Sequence, residues 1–320
     1  MLSRRLYRIK VFESLYAWFQ GGEPRLEVAE KNMLQSIEKI YELYYHQLSF
    51  LLEVVDFYEK RTEEARHKFY PTEEELNPNL KFVNNALIGL LRNNKDLQEK
   101  TRRYRINWAD EQEMVRAICT KIRNGKDHKN YLASPENSFE EDREFVCQVF
   151  RKYIARSTAL AYYFEEKNIH WNIDFDAVAQ FVMKTLRIVP EGYPAGASLA
   201  QLFRKEEGDD PAEDKKFVTG LFRKAIAESK EMEERIAKKV VNWELDRIAL
   251  TDIILLKMAL TELVHFPFIP VKVTLNEYIE LSKSFSTPKS KTFINGLLDK
   301  LTEELTEQKL IRKKGRGLIK

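Results

Sequence analysis

At 320 residues the chain is long enough for one large core or two smaller ones, and 11 Gly with 10 Pro is too few for a β-rich or a disordered protein. Lys and Arg total 53 against 50 Asp and Glu, so bulk charge does not make a nucleic-acid binder and the placement of charge must decide. Cys119 and Cys147 are too few and too far apart for a disulfide framework or a zinc knuckle, and no apolar run reaches the roughly 18 residues of a membrane span, so a reducing, cytoplasmic setting with no membrane partner is expected.

Residues 4–19 predict a short basic amphipathic helix, with Leu6, Ile9, Phe12, Leu15, Tyr16 and Phe19 on one face and Arg4, Arg5, Arg8 and Lys10 elsewhere. Such a helix suits RNA, an acidic membrane or an acidic partner. Gly21-Gly22-Glu23-Pro24 closes it. From Leu26 to about Tyr58 a long helix carries apolar residues at 34, 37, 41, 44, 48, 51, 55 and 58, alternating spacings of three and four. Packing on the chain's own helices is the simpler reading of that seam, and a partner-binding stripe is the other.

Beyond Pro71 and Asn77-Pro78, one helix is expected from about Leu80 to Leu97. It runs into Arg102, Arg103 and Arg105 around Tyr104, ahead of Trp108. Cations interleaved with aromatics suit single-stranded RNA, and a solvated helix end with cations complementing its dipole explains the same residues. Lys121, Arg123, Lys126 and Lys129 around Gly125 form a second cationic turn.

Residues 142–186 set against 214–258 at a constant shift of 72 match at thirteen of 45 pairs, clustered as DxxFVxxxFRKxIAxS and WxxD. That clustering exceeds what two amphipathic helices share by composition and reads as a degenerate internal repeat. Arg247 becomes Phe175 and Asp252 becomes Gln180 in the first copy, which suits a scaffold role. Trp171 and Trp243 are most simply helix-start packing residues. Residues 189–196 and 206–211 are the clearest loops.

Ile248 to Val264 is apolar almost all round, broken only by Thr251, Asp252, Lys257, Thr261 and Glu262, and predicts a central helix. A second helix follows the break at 266–270. It begins either at Pro270 or at a capping box of Thr274 and Glu277. Thr287 as N-cap with Pro288 in the first turn predicts a third helix, buried through Phe293, Ile294, Leu297, Leu298 and Leu301. Lys289 and Lys291 in that first turn oppose the helix dipole. Together with the free N–H groups they would suit a phosphate. After Glu307 six cations without an acid predict a mobile basic tail over 309–320.

No glycine-rich phosphate loop occurs, the five histidines lie scattered, and the carboxylates sit where pairing with Lys or Arg along a helix explains them. Neither catalysis, a cofactor, a metal nor a small-molecule substrate is expected.

Asp246-Arg247-Ile248, then Leu256 to Leu260 with Glu262-Leu263, then Ile269 to Val273 with Asn276-Glu277 and Glu280 to Lys283, and finally Phe293 to Asp299 resemble, block by block and in order, the bacterial transcription antitermination factor NusB. The likeness covers roughly residues 214–305, and the first twenty residues more loosely. There Leu15-Tyr16 matches the family's Leu-Tyr pair, Leu6 and Tyr7 interrupt its arginine run, and Glu13 stands where a glutamine is usual. The resemblance implies an all-α, NusB-like helical bundle. Its core would be residues 1–22 plus 205–310, with a helical insertion at 23–204 containing the repeat, and 311–320 as a basic tail. It further implies a non-catalytic factor that, with the ribosomal protein NusE, binds a boxA-like element of nascent ribosomal RNA and helps RNA polymerase resist termination. Arg4, Arg5, Arg8, Lys10, Tyr16, Lys257, Phe285, Phe293 and Asn295 would lie near the RNA by position. Lys289 and Lys291 join them on the helix-start argument alone. A protein-binding scaffold that keeps the fold without specific RNA binding is the rival reading, and the broken arginine run favours it slightly. Certain ribosomal RNA methyltransferases begin with a similar domain, but they need a doubly wound sheet that this pattern does not supply.

Overall fold

The computed structural model describes residues 4–22, 24–168, 170–199, 213–240 and 248–318. The described residues form helices and no strand. They fall into two compact units, one of residues 38–202 and one of residues 2–37 with 203–320.

The second unit is built on α13 (Leu250–His265), in which every residue from Asp252 to Leu263 is buried. It packs against α1 (Arg4–Phe19), α11 (Glu213–Ala227), α12 (Ser229–Lys239), α14 (Val271–Phe285) and α15 (Ser290–Glu307). Each large aliphatic side chain so covered is worth about 1.5–3 kcal/mol. The central-helix expectation is met, and the polar interruptions find partners within the chain: Thr261 donates to the Lys257 carbonyl at 2.8 Å, and one oxygen of Asp252 accepts from Ser290 at 2.7 Å.

Of the two starts expected for α14, the structure takes Pro270, since Thr274 is turned inward to Glu262 instead of capping. The α15 helix begins two residues later than expected. Lys289 is its N-cap, and the Thr287 hydroxyl bonds that of Ser290. The basic tail through Leu318 is docked. Lys314 N–H donates to the Pro267 carbonyl at 2.9 Å, Lys313 Nζ to the Phe266 carbonyl at 3.1 Å, and Gly317 is buried against Pro267.

The first unit takes α2 (Leu26–Arg66) from Glu38 onward as its spine. Between Ile40 and Val55 burial extends beyond one seam to Leu43, Tyr45, Gln47, Phe50 and Val54, so the chain's own helices cover it. After α3 (Glu73–Leu76), the single helix expected over 80–97 is two: α4 (Ala86–Arg92) and α5 (Lys95–Arg103). Asn85 and Asn94 cap them by accepting from Ile88 and Leu97 N–H, which breaks the helix in between. Next come α6 (Gln112–Asn124), α7 (Lys126–Ala133), α8 (Phe139–Val149), a π-turn over Phe150–Ile154, α9 (Thr158–Lys167) and α10 (Trp171–Ile188).

The two stretches matched in sequence have corresponding helices in part. At the shift of 72, α8 with its π-turn lies opposite α11, and α9 opposite α12. Phe145, Val146, Phe150, Leu160 and Phe164 are buried, as are Phe217, Val218, Phe222, Met232 and Ile236. In each stretch the third helix packs on the first two. Asp142 accepts from the Ala86 N–H at the start of α4, and its counterpart Asp214 accepts from Arg4 at the start of α1. The third helices differ in extent: α10 ends at Ile188, opposite Leu260, whereas α13 continues to His265. Trp243, Asp246, Arg247 and the loop at 206–211 lie outside the described residues. Trp171 is buried, its indole N–H donating to the Lys39 carbonyl at 2.9 Å, as a packing residue would be.

Candidate nucleic-acid interface

The α1 helix is the element through which charge was expected to reach a ligand, and the structure divides its cations sharply. Leu6, Tyr7, Val11, Phe12 and Leu15 are buried, which turns Arg8 and Lys10 inward with them. The Arg8 guanidinium forks onto Glu262 of α13, Nε to Oε2 at 2.8 Å and Nη2 to Oε1 at 2.7 Å. Thr274 and Tyr278 hydroxyls donate to the same carboxylate at 2.9 and 3.0 Å. Burial would by itself favour loss of the Arg8 proton, but the charge of Glu262 and its bonds outweigh it, and the pKa of Arg8 is raised. Burial first, then the charge of Glu262, drives the Tyr278 phenol well above its usual range.

Arg4 and Arg5 remain at the surface but are also held. Arg4 reaches Asp214 at 3.4 Å and Glu213 at 3.8 Å on α11, and Arg5 forks onto Glu277 of α14 at 2.9 and 2.8 Å. The interrupted arginine run therefore laces α1 to α11, α13 and α14. Glu262 was left without a role by sequence reasoning and Glu277 was read only as a capping-box residue, although both stand inside the blocks that carry the resemblance.

Lys10 is fully buried and donates to Glu13 at 2.9 Å. Lys257 is buried as well, bonded to Ser229 at 2.8 Å and to Glu233, with its ammonium 4.2 Å from the Phe19 ring centroid. Arg8, Lys10 and Lys257 are thus placed in the core, each with its charged group bonded to a carboxylate of the chain.

The remaining residues face outward. Phe12 carries the Phe285 ring at 4.8 Å and the Tyr16 ring at 6.4 Å, so the end of α1 and the end of α14 present an aromatic pair in which Tyr16 is exposed and Phe285 half-buried. The turn between α14 and α15 is fixed from beneath by hydroxyls. Thr251 and Ser286 share a bond at 3.1 Å, Ser286 donates to Ser290 at 3.0 Å, and Ser290 donates to Asp252. That anchoring leaves Lys289 and Lys291 exposed, without a direct ion pair among the described residues. No side chain caps α15 and no acid lies in its first turn, although the Ser290 N–H is given to the Thr287 carbonyl and the buried Asp252 carboxylate lies beneath the helix start. Phe293 is half-buried and Asn295 exposed one turn further on, the latter 3.4 Å from Asp299. The arrangement offers two ammonium groups and open N–H donors to an anion, with rings nearby for a base.

In the first unit, the aromatic-basic segment contributes less to a surface than its sequence suggests. Trp108 is buried and donates to Ser49 at 3.1 Å, Tyr104 packs on Tyr45, and Arg103 pairs with Glu38 at 3.2 Å. Arg102 and Arg105 are exposed. Among the described residues no group of three His, Cys, Asp or Glu could hold a metal ion, and no helix is long and apolar enough to cross a membrane.

Residues 190–303 match the family model described as the NusB family. Over 139 residues the chain is 42% identical to the transcription antitermination protein NusB of Salinibacter ruber, covering 43% of this chain and 86% of that one. It is 30% identical over 138 residues to the protein of the same name from a Geobacter species, covering 42% and 87%. With that from Chloroherpeton thalassium it shares 37% identity over 105 residues, a third of this chain and half of that one. No solved structure matches the chain.

Proposed function

Since the chain belongs to the NusB family, we propose that it is a non-catalytic, RNA-binding transcription antitermination factor, acting with NusE on a boxA-like element of nascent ribosomal RNA as part of an RNA polymerase antitermination complex. The likeness to proteins named for transcription antitermination carries this reading. The surface that supports it is the outward-facing group Tyr16, Phe285, Lys289, Lys291, Phe293 and Asn295, with Arg4 and Arg5 at its margin if their carboxylate partners release them.

The mechanism is recognition without bond making. Lys289, Lys291 and the open N–H groups of α15 would hold phosphate, while Tyr16 and Phe285 would present rings to unstacked bases. The test is a titration of a boxA-like oligonucleotide against Lys289→Glu/Lys291→Glu, in which affinity should fall by on the order of 10-fold as charge-assisted hydrogen bonds to phosphate disappear. Unchanged affinity would remove α15 from the site. One observation favours a second reading, a protein-binding scaffold: every arginine of the α1 run already has a carboxylate partner.

A further inference from the structure

The segment outside the NusB likeness carries a charged surface of its own. Between the π-turn with its following residues and the outer face of α10 runs an open groove of about 640 Å³. Arg151 and Arg156 line it from the segment after α8 and Lys184 and Arg187 from α10, with Ala155, Ala179, Gln180 and Met183 also in the lining. All four cations are exposed, and none makes an ion pair among the described residues. Among the described residues Asp176 is the one acid that lines it. The same unit has a second groove, beside α7 and α8, that is lined instead by Asp127, Glu136, Glu140, Glu141 and Glu144. Three of those acids are paired, Asp127 with Lys152, Glu140 with Arg143 and Glu141 with Lys81, whereas the cations beside α10 stand together without ion pairs among the described residues and repel one another unless an anion joins them.

The position of the cations is also informative. At the shift of 72, Lys184 and Arg187 stand opposite Leu256 and Ala259, both buried in α13. The face of α10 that would be core in the matched helix is turned to water and charged.

We propose that this groove binds the phosphate backbone of single-stranded RNA, as a second contact surface on the same chain. The proposal rests on the RNA-binding reading above and deepens it. Three guanidinium groups favour phosphate, which they can bind by two parallel hydrogen bonds. A groove whose two sides both carry cations admits a single strand with its phosphates on those cations. A bilayer surface is flat and would leave the two sides unmatched. Among the described residues no aromatic side chain lines the groove, so binding should follow the backbone with little sequence preference.

The experiment uses the full chain and a single-stranded RNA of about 30 nucleotides that holds a boxA-like element and unrelated flanks. Its partners are a boxA-like element alone and vesicles of mixed neutral and anionic lipid. Two variants are compared with the parent: Arg151→Glu/Arg156→Glu/Lys184→Glu/Arg187→Glu, and the milder Lys184→Gln/Arg187→Gln should the first fail to fold. Affinity for the long RNA should fall about 10-fold or more at 0.1 M salt, and the slope of log affinity against log salt should flatten by roughly 0.7 for each phosphate that is no longer neutralised. Binding of the short element should be unchanged. Equal affinity and equal slope for the long RNA would overturn the groove assignment while leaving the α15 surface in place. A parent that binds neither RNA would overturn both. Loss of vesicle binding with RNA binding intact would make the groove a lipid-binding surface and overturn the RNA assignment.

Discussion

Replacing Arg8 should damage the fold before it touches any ligand. The guanidinium is 2% exposed, the carboxylate of Glu262 fully buried, and the two are joined by bonds of 2.8 and 2.7 Å. The guanidinium also lies 5.4 Å from the Phe217 ring centroid and 3.6 Å from Glu277. Arg8→Ala would leave Glu262 with only the Thr274 and Tyr278 hydroxyls, an uncompensated buried charge worth about 3–5 kcal/mol. Glu262→Gln should cost a similar amount from the other side. Arg8→Met combined with Glu262→Met removes both charges and strands chiefly the Tyr278 hydroxyl, since Thr274 keeps a carbonyl 3.4 Å away at Pro270. The double variant should therefore lose only about 1–3 kcal/mol, less than either single charge removal. Urea unfolding of the four proteins gives the comparison directly. If Arg8→Ala keeps its stability within about 1 kcal/mol and loses RNA binding, Arg8 faces a ligand and the inward placement is wrong.

Lys289→Glu/Lys291→Glu should leave the melting temperature equal or slightly higher, because acids suit a helix start, with a gain of a few tenths of a kcal/mol; a marked fall on a melting curve would mean the lysines hold the turn together. His128 is buried, its pKa lowered to about 4 by burial first and by Arg123 second, and it meets the Tyr58 hydroxyl at 3.2 Å. The unfolded chain takes up that proton near pH 6.5, so its contribution is present above that pH and is lost as pH falls towards 4. Parent minus His128→Gln should lose about 2 kcal/mol in urea unfolding between pH 7.5 and 5, with a pH-independent difference as the contrary result; His46, lowered in the same direction by burial, is common to both proteins. A Cβ on Gly317 would meet the Pro267 carbonyl oxygen at 1.9 Å, so Gly317→Ala should dislodge the tail at a cost of about 1–3 kcal/mol and open Arg312 to Arg316 to trypsin, whereas an equally resistant tail would refute the docking.

The apolar periodicity of α13, α14 and α15 was legible because burial on nearly every side leaves few alternatives to a core helix. The capping chemistry was less so. Asn85 and Asn94 each have the side chain to stop one helix and start another, yet neither interrupts the apolar pattern from which one helix was expected. Thr287 and Pro288 marked the start of α15 within two residues, because both capping and proline geometry act locally. The site was harder to read because charge has no direction in a sequence. Arg8 and Lys289 look alike as letters, and only the distant carboxylate at Glu262 sends one inward. The same holds for Lys257, whose neighbours Glu233 and Phe19 come from two other helices. The groove beside α10 combines Arg151 with Arg187, a pairing set by tertiary packing alone.

The most direct measurement is a fluorescence titration of the full chain with a boxA-like oligonucleotide and a scrambled control, each with and without NusE. The proposed role gives tighter binding of the boxA-like sequence than of the control, and a further gain of about 5-fold or more when NusE is present, the coupling expected of two ligands that favour one complex. Equal affinity for both sequences, unmoved by NusE, would contradict it and leave the protein-binding scaffold as the reading of this chain.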